Sequence, residues 1–157
     1  MKPVASVYFA YGVNVDPAHM ATRVPGACAV GPARLDGFRL SFSVFSTEWN
    51  GGAANLEPDE QAHVWGMLWE IPDDQVHGLD AYRGHPTFFR KEDVVAQTRD
   101  GPVMAWTYRV AHQSGFVQPT DAYLGTLRSA IRVQGLPPEA LDIVDRAAYP
   151  PRPTIST

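Results

Sequence analysis

The sequence predicts an α+β fold: a small mixed β-barrel with surrounding helices. Three observations predict it. About six strand-like segments occur with helices at intervals and without a βαβ rhythm. Residues 64–71 are apolar on both faces, with Val64 and Leu68 opposite Trp65, Met67, Trp69 and Ile71, as suits a strand in the middle of a sheet or barrel. Arg99-Asp100-Gly101 sits between two strand-like runs and signals a hairpin. Closing such a set of strands into a small barrel removes the exposed edges that an open sheet would keep.

The elements follow in order. Residues 4–11 are β-branched and aromatic and stop at Gly12, which reads as a strand. Asp16-Pro17 is an N-cap followed by proline at the first helical position, so a short helix is expected over 17–23. Residues 38–45 alternate, with Phe38, Leu40, Phe42 and Val44 apolar and Arg39, Ser41 and Ser43 polar, the pattern of a half-buried strand. Trp49-Asn50-Gly51-Gly52 breaks it, and residues 53–56 start another short strand. Glu57, Asp59 and Glu60 read as a solvated acidic loop before the strand at 64–71. Pro72-Asp73-Asp74 opens a helix over 73–83 that ends at Gly84. The hairpin strands are expected at 88–97 and 103–110. Thr120 precedes a helix with Leu124, Leu127 and Ile131 on one face, ending near Gly135. Pro137-Pro138 opens a last helix to about Asp145.

Composition narrows the function classes. A length of 157 residues predicts one domain, over 1–148, with a proline-rich mobile tail at 149–157. At this mass about 69% of the unfolded surface is buried on folding, enough for one core without metal or disulfide staples. The single cysteine, Cys28, excludes an intrachain disulfide framework. With 13 Lys+Arg against 17 Asp+Glu there is no basic stripe for nucleic acid. No apolar run nears the ~20 residues that span a bilayer, and the N-terminus lacks a signal-peptide pattern. A cytoplasmic protein, bound to neither nucleic acid nor membrane, is expected. None of the histidines pairs at helical spacing with another histidine or with Cys28, so no metal site is expected. No phosphate-loop, dinucleotide or Gly-x-Ser-x-Gly motif is present, and no cofactor is expected.

Two glycine turns and one helix end carry the chemistry. Tyr11-Gly12-Val13-Asn14 leads from a strand into a helix, and such a turn aims several backbone N–H groups in one direction, toward a carboxylate or phosphate. Gly51-Gly52 lacks Cβ atoms and so permits a close approach, to a ligand or within an ordinary turn. Arg83 ends a helix just before Gly84, where a cation complements the helix dipole.

Taken in order, these segments resemble the γ-glutamylcyclotransferase-like family. The strand into Tyr-Gly-Ser-Asn-Leu appears as Tyr11-Gly12-Val13-Asn14-Val15, and Arg34-Leu35-Asp36-Gly37-Phe38 follows. Gly51-Gly52-Ala53-Ala54 matches the Gly-Gly-x-Ala loop, and Val64-Trp65-Gly66 matches the Val-Trp-Gly strand. Leu79-Asp80-Ala81-Tyr82-Arg83-Gly84 matches the Leu-Asp-x-x-Glu-Gly helix end. Phe89-Arg90 stands for a Tyr-Arg pair, Ala105-Trp106-Thr107-Tyr108 for a late strand, and Tyr123 for a helix tyrosine. The resemblance implies a small barrel with a cavity at one mouth. It also implies a reaction in which turn amides hold a γ-glutamyl group and the helix-end glutamate moves the proton of the attacking α-amine, releasing 5-oxoproline.

The departures change that expectation. The glutamate position is Arg83, which cannot act as a base near neutrality. Val13 and Phe89 each replace a hydroxyl-bearing residue of the family pattern. Three readings follow. In the first, the cavity is repurposed for tailoring a small metabolite by cyclisation or acyl transfer. Arg83 then binds an anionic or carbonyl group, and proton carriers come from Glu48, His85, Tyr82 or Tyr123. In the second, a true cyclotransferase uses a displaced carboxylate, Glu48 or Glu92. In the third, the cavity binds a small molecule without catalysis. The expected binding residues are Tyr11, Gly12, Val13, Asn14, Gly51, Gly52, Tyr82 and Phe89.

Overall fold

The computed structural model describes residues 5–83, 89–110 and 115–150. Five strands close into a barrel in the order β1-β3-β2-β4-β5. Strand β1 is Ala5–Ala10, β2 Cys28–Ser46, β3 Gly51–Pro72, β4 Arg90–Thr98 and β5 Gly101–Arg109. All pairings are antiparallel except β1 with β5, which meet in parallel at Tyr8 and Trp106 and close the barrel. The helices are α1 (Pro17–Arg23), α2 (Val76–Arg83), α3 (Asp121–Val133) and α4 (Pro138–Ala148), with short 3-10 turns at Val13–Val15 and Asp73–Gln75. Of the described residues, no helix is long and apolar enough to cross a membrane, and no cluster of ligating side chains could hold a metal ion.

Local chemistry explains most of these elements. The Asp16 side chain accepts from the His19 amide, and Pro17 supplies the fixed φ of a first helical residue. The Thr120 hydroxyl caps α3 by accepting from the Tyr123 amide. Leu124, Leu127 and Ile131 are buried on one side of α3, as their spacing predicts. Strand β3 is buried on both faces where it crosses the barrel: Val64, Met67, Leu68, Trp69 and Ile71 are all in the core.

Four sequence expectations are corrected. Residues 53–56 and 64–71 are parts of one strand, and the acidic stretch between them is strand rather than loop. Its charges are accommodated by facing water and by pairing with β2, as in the Arg39–Glu57 ion pair at 2.8 Å. Register shifts between Asp36 and Phe38 and between Phe42 and Val44 keep so long a hairpin in step with the barrel. The half-buried alternation also fails, because Ser41 and Ser43 are buried along with Leu40, Phe42 and Val44. Their hydroxyls lie 2.9 Å apart, and Asn55 donates to Ser43, so burial leaves them partnered. The β4–β5 turn sits one residue earlier than the Asp-Gly pair predicts, with Thr98 opposite Gly101. Finally, α4 continues to Ala148 because Val144 and Ala148 bury against the core. Beyond Pro150 the expected tail lies outside the described residues.

Candidate functional site

A cavity of about 410 Å³ opens where six parts of the chain meet: the turn after β1, the end of β2, the turn into β3, the end of α2, the residue before β4 and the first turn of α3. Val13, Glu48, Trp49, Tyr82, Arg83, Phe89 and Tyr123 are among its walls. Residues far apart in sequence are thus assembled by barrel closure rather than by any local motif.

Arg83 is the last residue of α2, one turn after the fully buried Leu79, and this spacing carries its side chain inward. Only 8% of the residue is exposed. Its guanidinium carbon lies 4.7 Å from the ring centre of Phe89, 5.6 Å from that of Tyr82 and 5.9 Å from that of Tyr11. Nε is buried with no hydrogen-bond partner among the described residues. No ion pair among those residues includes Arg83. Burial works against its charge, while Tyr8, Tyr11 and Tyr82 raise its pKa above the ordinary arginine value chiefly through charge that their phenols carry only when ionised at alkaline pH. The result is a cation in the cavity wall, surrounded by rings and lacking a carboxylate partner among the described residues. Such a charge is costly unless an anion joins it.

Tyr123 shows where one backbone amide is directed. Its hydroxyl accepts from the amide of Ala54 at 3.0 Å. With that amide donating to its oxygen, the hydroxyl keeps its O–H for donation. Burial pushes the phenol up to about 12, against the pull of that amide and of Arg83. Gly12 is needed for this arrangement, because a Cβ there would stand 2.9 Å from the Tyr123 oxygen.

Glu48 is the carboxylate in the wall, and it is already engaged. Arg23 Nη2 donates to both of its oxygens, at 3.0 and 3.3 Å. The Arg23 guanidinium is itself held 3.7 Å above the Tyr82 ring. Trp49 packs edge-on to Tyr123, and its indole N–H is buried without a partner among the described residues.

The structure therefore brings Val13, Glu48, Tyr82, Arg83, Phe89 and Tyr123 around one cavity. Tyr11 is buried behind it, donating to the Tyr108 carbonyl at 2.5 Å, and Asn14 is fully buried, donating to the Tyr8 hydroxyl at 3.4 Å. Gly51 and Gly52 lie elsewhere, at the start of β3 against residues 117–120, where a Cβ on Gly52 would stand 1.9 Å from the Val117 carbonyl oxygen. The close approach these glycines permit is thus to the chain itself. Glu92 pairs with Arg109 outside the cavity. His85 lies outside the described residues. Sequence reasoning missed Arg23 and Tyr8, which hold Glu48 and Arg83, because neither spacing nor residue type marks a contact made across the fold.

Comparison with known proteins agrees with this architecture. The family model described as "Gamma-glutamyl cyclotransferase, AIG2-like" matches residues 8–126. The chain is 27% identical over 138 residues to the gamma-glutamylcyclotransferase of Mus musculus, covering 85% of this chain and 73% of that one. It is 26% identical to the Homo sapiens protein of the same name, with the same coverage. A solved structure titled "Gamma-glutamyl cyclotransferase" superposes with a TM-score of 0.86 over 98% of this chain and 93% of its own, at 24% identity, a likeness of fold.

Proposed function

Since the chain belongs to the gamma-glutamyl cyclotransferase, AIG2-like family, we propose that it is a repurposed member. In this reading it tailors a small carboxylate-bearing metabolite by acyl transfer or cyclisation. One observation carries it: Arg83 is a buried guanidinium without a carboxylate partner among the described residues, in a cavity wall, at the helix end where the family pattern has glutamate. A base has been exchanged for an anion-binding group. Guanidinium suits a carboxylate because it offers parallel donors in a fixed plane.

The rest of the wall fits acyl chemistry. In acyl transfer the nucleophile's lone pair bonds to the acyl carbon and the C=O pair moves onto oxygen. Collapse then expels the leaving group, which carries off the proton lost by the nucleophile. A donor placed at that oxygen lowers the barrier because charge develops there. Arg83 fixes the substrate's carboxylate, and the committed O–H of Tyr123 is the donor for the acyl oxygen. Holding the reactants together supplies much of the remaining acceleration.

The test is product analysis by mass spectrometry. The purified protein is incubated with carboxylate-bearing acyl amides and, separately, with γ-glutamyl amines. The expected result is turnover of the acyl amides that disappears in Arg83→Ala, with no 5-oxoproline from the γ-glutamyl amines. Release of 5-oxoproline by the wild type would instead establish a retained cyclotransferase using Glu48. Arg83-dependent binding without turnover of any substrate would establish a binding module.

A further inference from the structure

We infer that the cavity selects acyl carboxylates that carry no free ammonium group. This rests on the reading of Arg83 as the anion anchor and adds what that anchor leaves unserved. An α-ammonium entering a buried site needs an acceptor, and preferably a negative one. Among the described residues, Glu48 is the carboxylate in the wall. Both its oxygens already accept from Arg23, and Arg23 is fixed by its stack on Tyr82 at 3.7 Å. An ammonium reaching Glu48 would have to share a carboxylate whose charge Arg23 already balances. Arg83, Glu48 and Arg23 together are one positive charge in excess, and a further cation meets net repulsion.

The other polar groups point the same way. Tyr123 already accepts from the Ala54 amide, and Trp49 offers only an N–H. Among the described residues the wall's remaining acceptors are the neutral hydroxyls of Ser46, Thr47 and Tyr82, and its carboxylate is balanced by Arg23. A ligand that fits it brings acceptors: a carboxylate for Arg83 and a carbonyl for the donors beside it. The loss of a proton-accepting glutamate is coherent with this, because a substrate without an amine has no amine proton to surrender.

The test uses a matched pair. Glutaramate, the monoamide of glutarate, and glutamine differ only in the α-ammonium. Binding of each is measured by isothermal titration calorimetry to wild type, Arg83→Met, Arg23→Met and Glu48→Gln. The expected result is that wild type binds glutaramate at least about tenfold tighter than glutamine, and that Arg83→Met abolishes both. Arg23→Met frees Glu48 and narrows the preference. Should Arg23→Met fail to fold, Glu48→Gln serves: it removes the acid and leaves the preference equal or wider. Glutamine binding as tightly as glutaramate, both still lost in Arg83→Met, would overturn the selectivity and leave the anchor standing. Absence of binding by either at millimolar concentration, or binding indifferent to Arg83→Met, would overturn both.

Discussion

The guanidinium of Arg83 lies over the ring of Phe89, 4.7 Å from its centre, and pairs with no carboxylate among the described residues. Phe89 carries no hydroxyl, so the ring that covers the cation is hydrocarbon to its edge. The pair gives Arg83 a cation–π contact worth about 0.5–2 kcal/mol. That is small beside the cost of a buried charge, and it leaves the site short of an anion.

The first prediction concerns that imbalance. Arg83→Met keeps the volume and removes the unpaired charge. The unliganded variant is expected to gain about 1–2 kcal/mol over wild type, because apolar replacement of poorly compensated buried charge is neutral or stabilising. For a chain of this size that raises Tm by about 2–8 °C. Thermal unfolding followed by circular dichroism reads it, and a lower Tm would mean that Arg83 is satisfied internally.

Tyr123→Phe should do the opposite. Removing the hydroxyl leaves the Ala54 amide without its acceptor in a buried place. The expected cost is about 1–3 kcal/mol, measured by urea titration, together with loss of turnover. A variant with full stability and activity would show that water replaces the hydroxyl without penalty.

The two glycines should rank by what they touch. In Gly52→Ala the new Cβ meets the Val117 carbonyl, which belongs to the backbone. In Gly12→Ala it meets the end of the Tyr123 side chain, 2.9 Å away. Gly52→Ala should cost about 3 kcal/mol or more, and Gly12→Ala about 1–2 kcal/mol with a marked loss of ligand binding. Equal stability losses would contradict the ranking.

Alkaline pH tests the buried phenols. Burial raises the pKa values of Tyr11, Tyr108 and Tyr123 above the ordinary 10.0, that of Tyr123 to about 12. The folded state therefore holds protons that the unfolded chain releases near pH 10, so stability falls as pH rises above that value. Absorbance at about 295 nm should show the exposed tyrosines ionising first. The buried ones should ionise only as the chain unfolds, between about pH 10 and 12. One smooth transition near pH 10 without unfolding would be inconsistent with their burial.

Helix starts were readable because the signal is local: Asp16-Pro17 and Thr120 cap through atoms a few residues away. The two-faced apolar run of β3 was readable for the same reason, since composition alone says that both faces are buried. The acidic stretch within β3 was not. A strand whose outer face meets water tolerates charges, and the pairing with β2 that makes it a strand lies across the hairpin. The burial of Ser41 and Ser43 was likewise invisible, because their partners are each other and Asn55 on the next strand.

The same division runs through the site. The sequence by itself determined the family resemblance and the small barrel with its helices, since both are a matter of residue order and identity. Only the tertiary structure decided that Arg83 is buried in a cavity wall with no carboxylate beside it among the described residues, and that Arg23 already occupies Glu48. It also decided that the Ala54 amide meets the Tyr123 hydroxyl. The physical reason is that charge and hydrogen-bond capacity are properties of neighbours in space. Arg23 and Glu48 are separated by 25 positions and Ala54 and Tyr123 by 69, and barrel closure alone makes them neighbours.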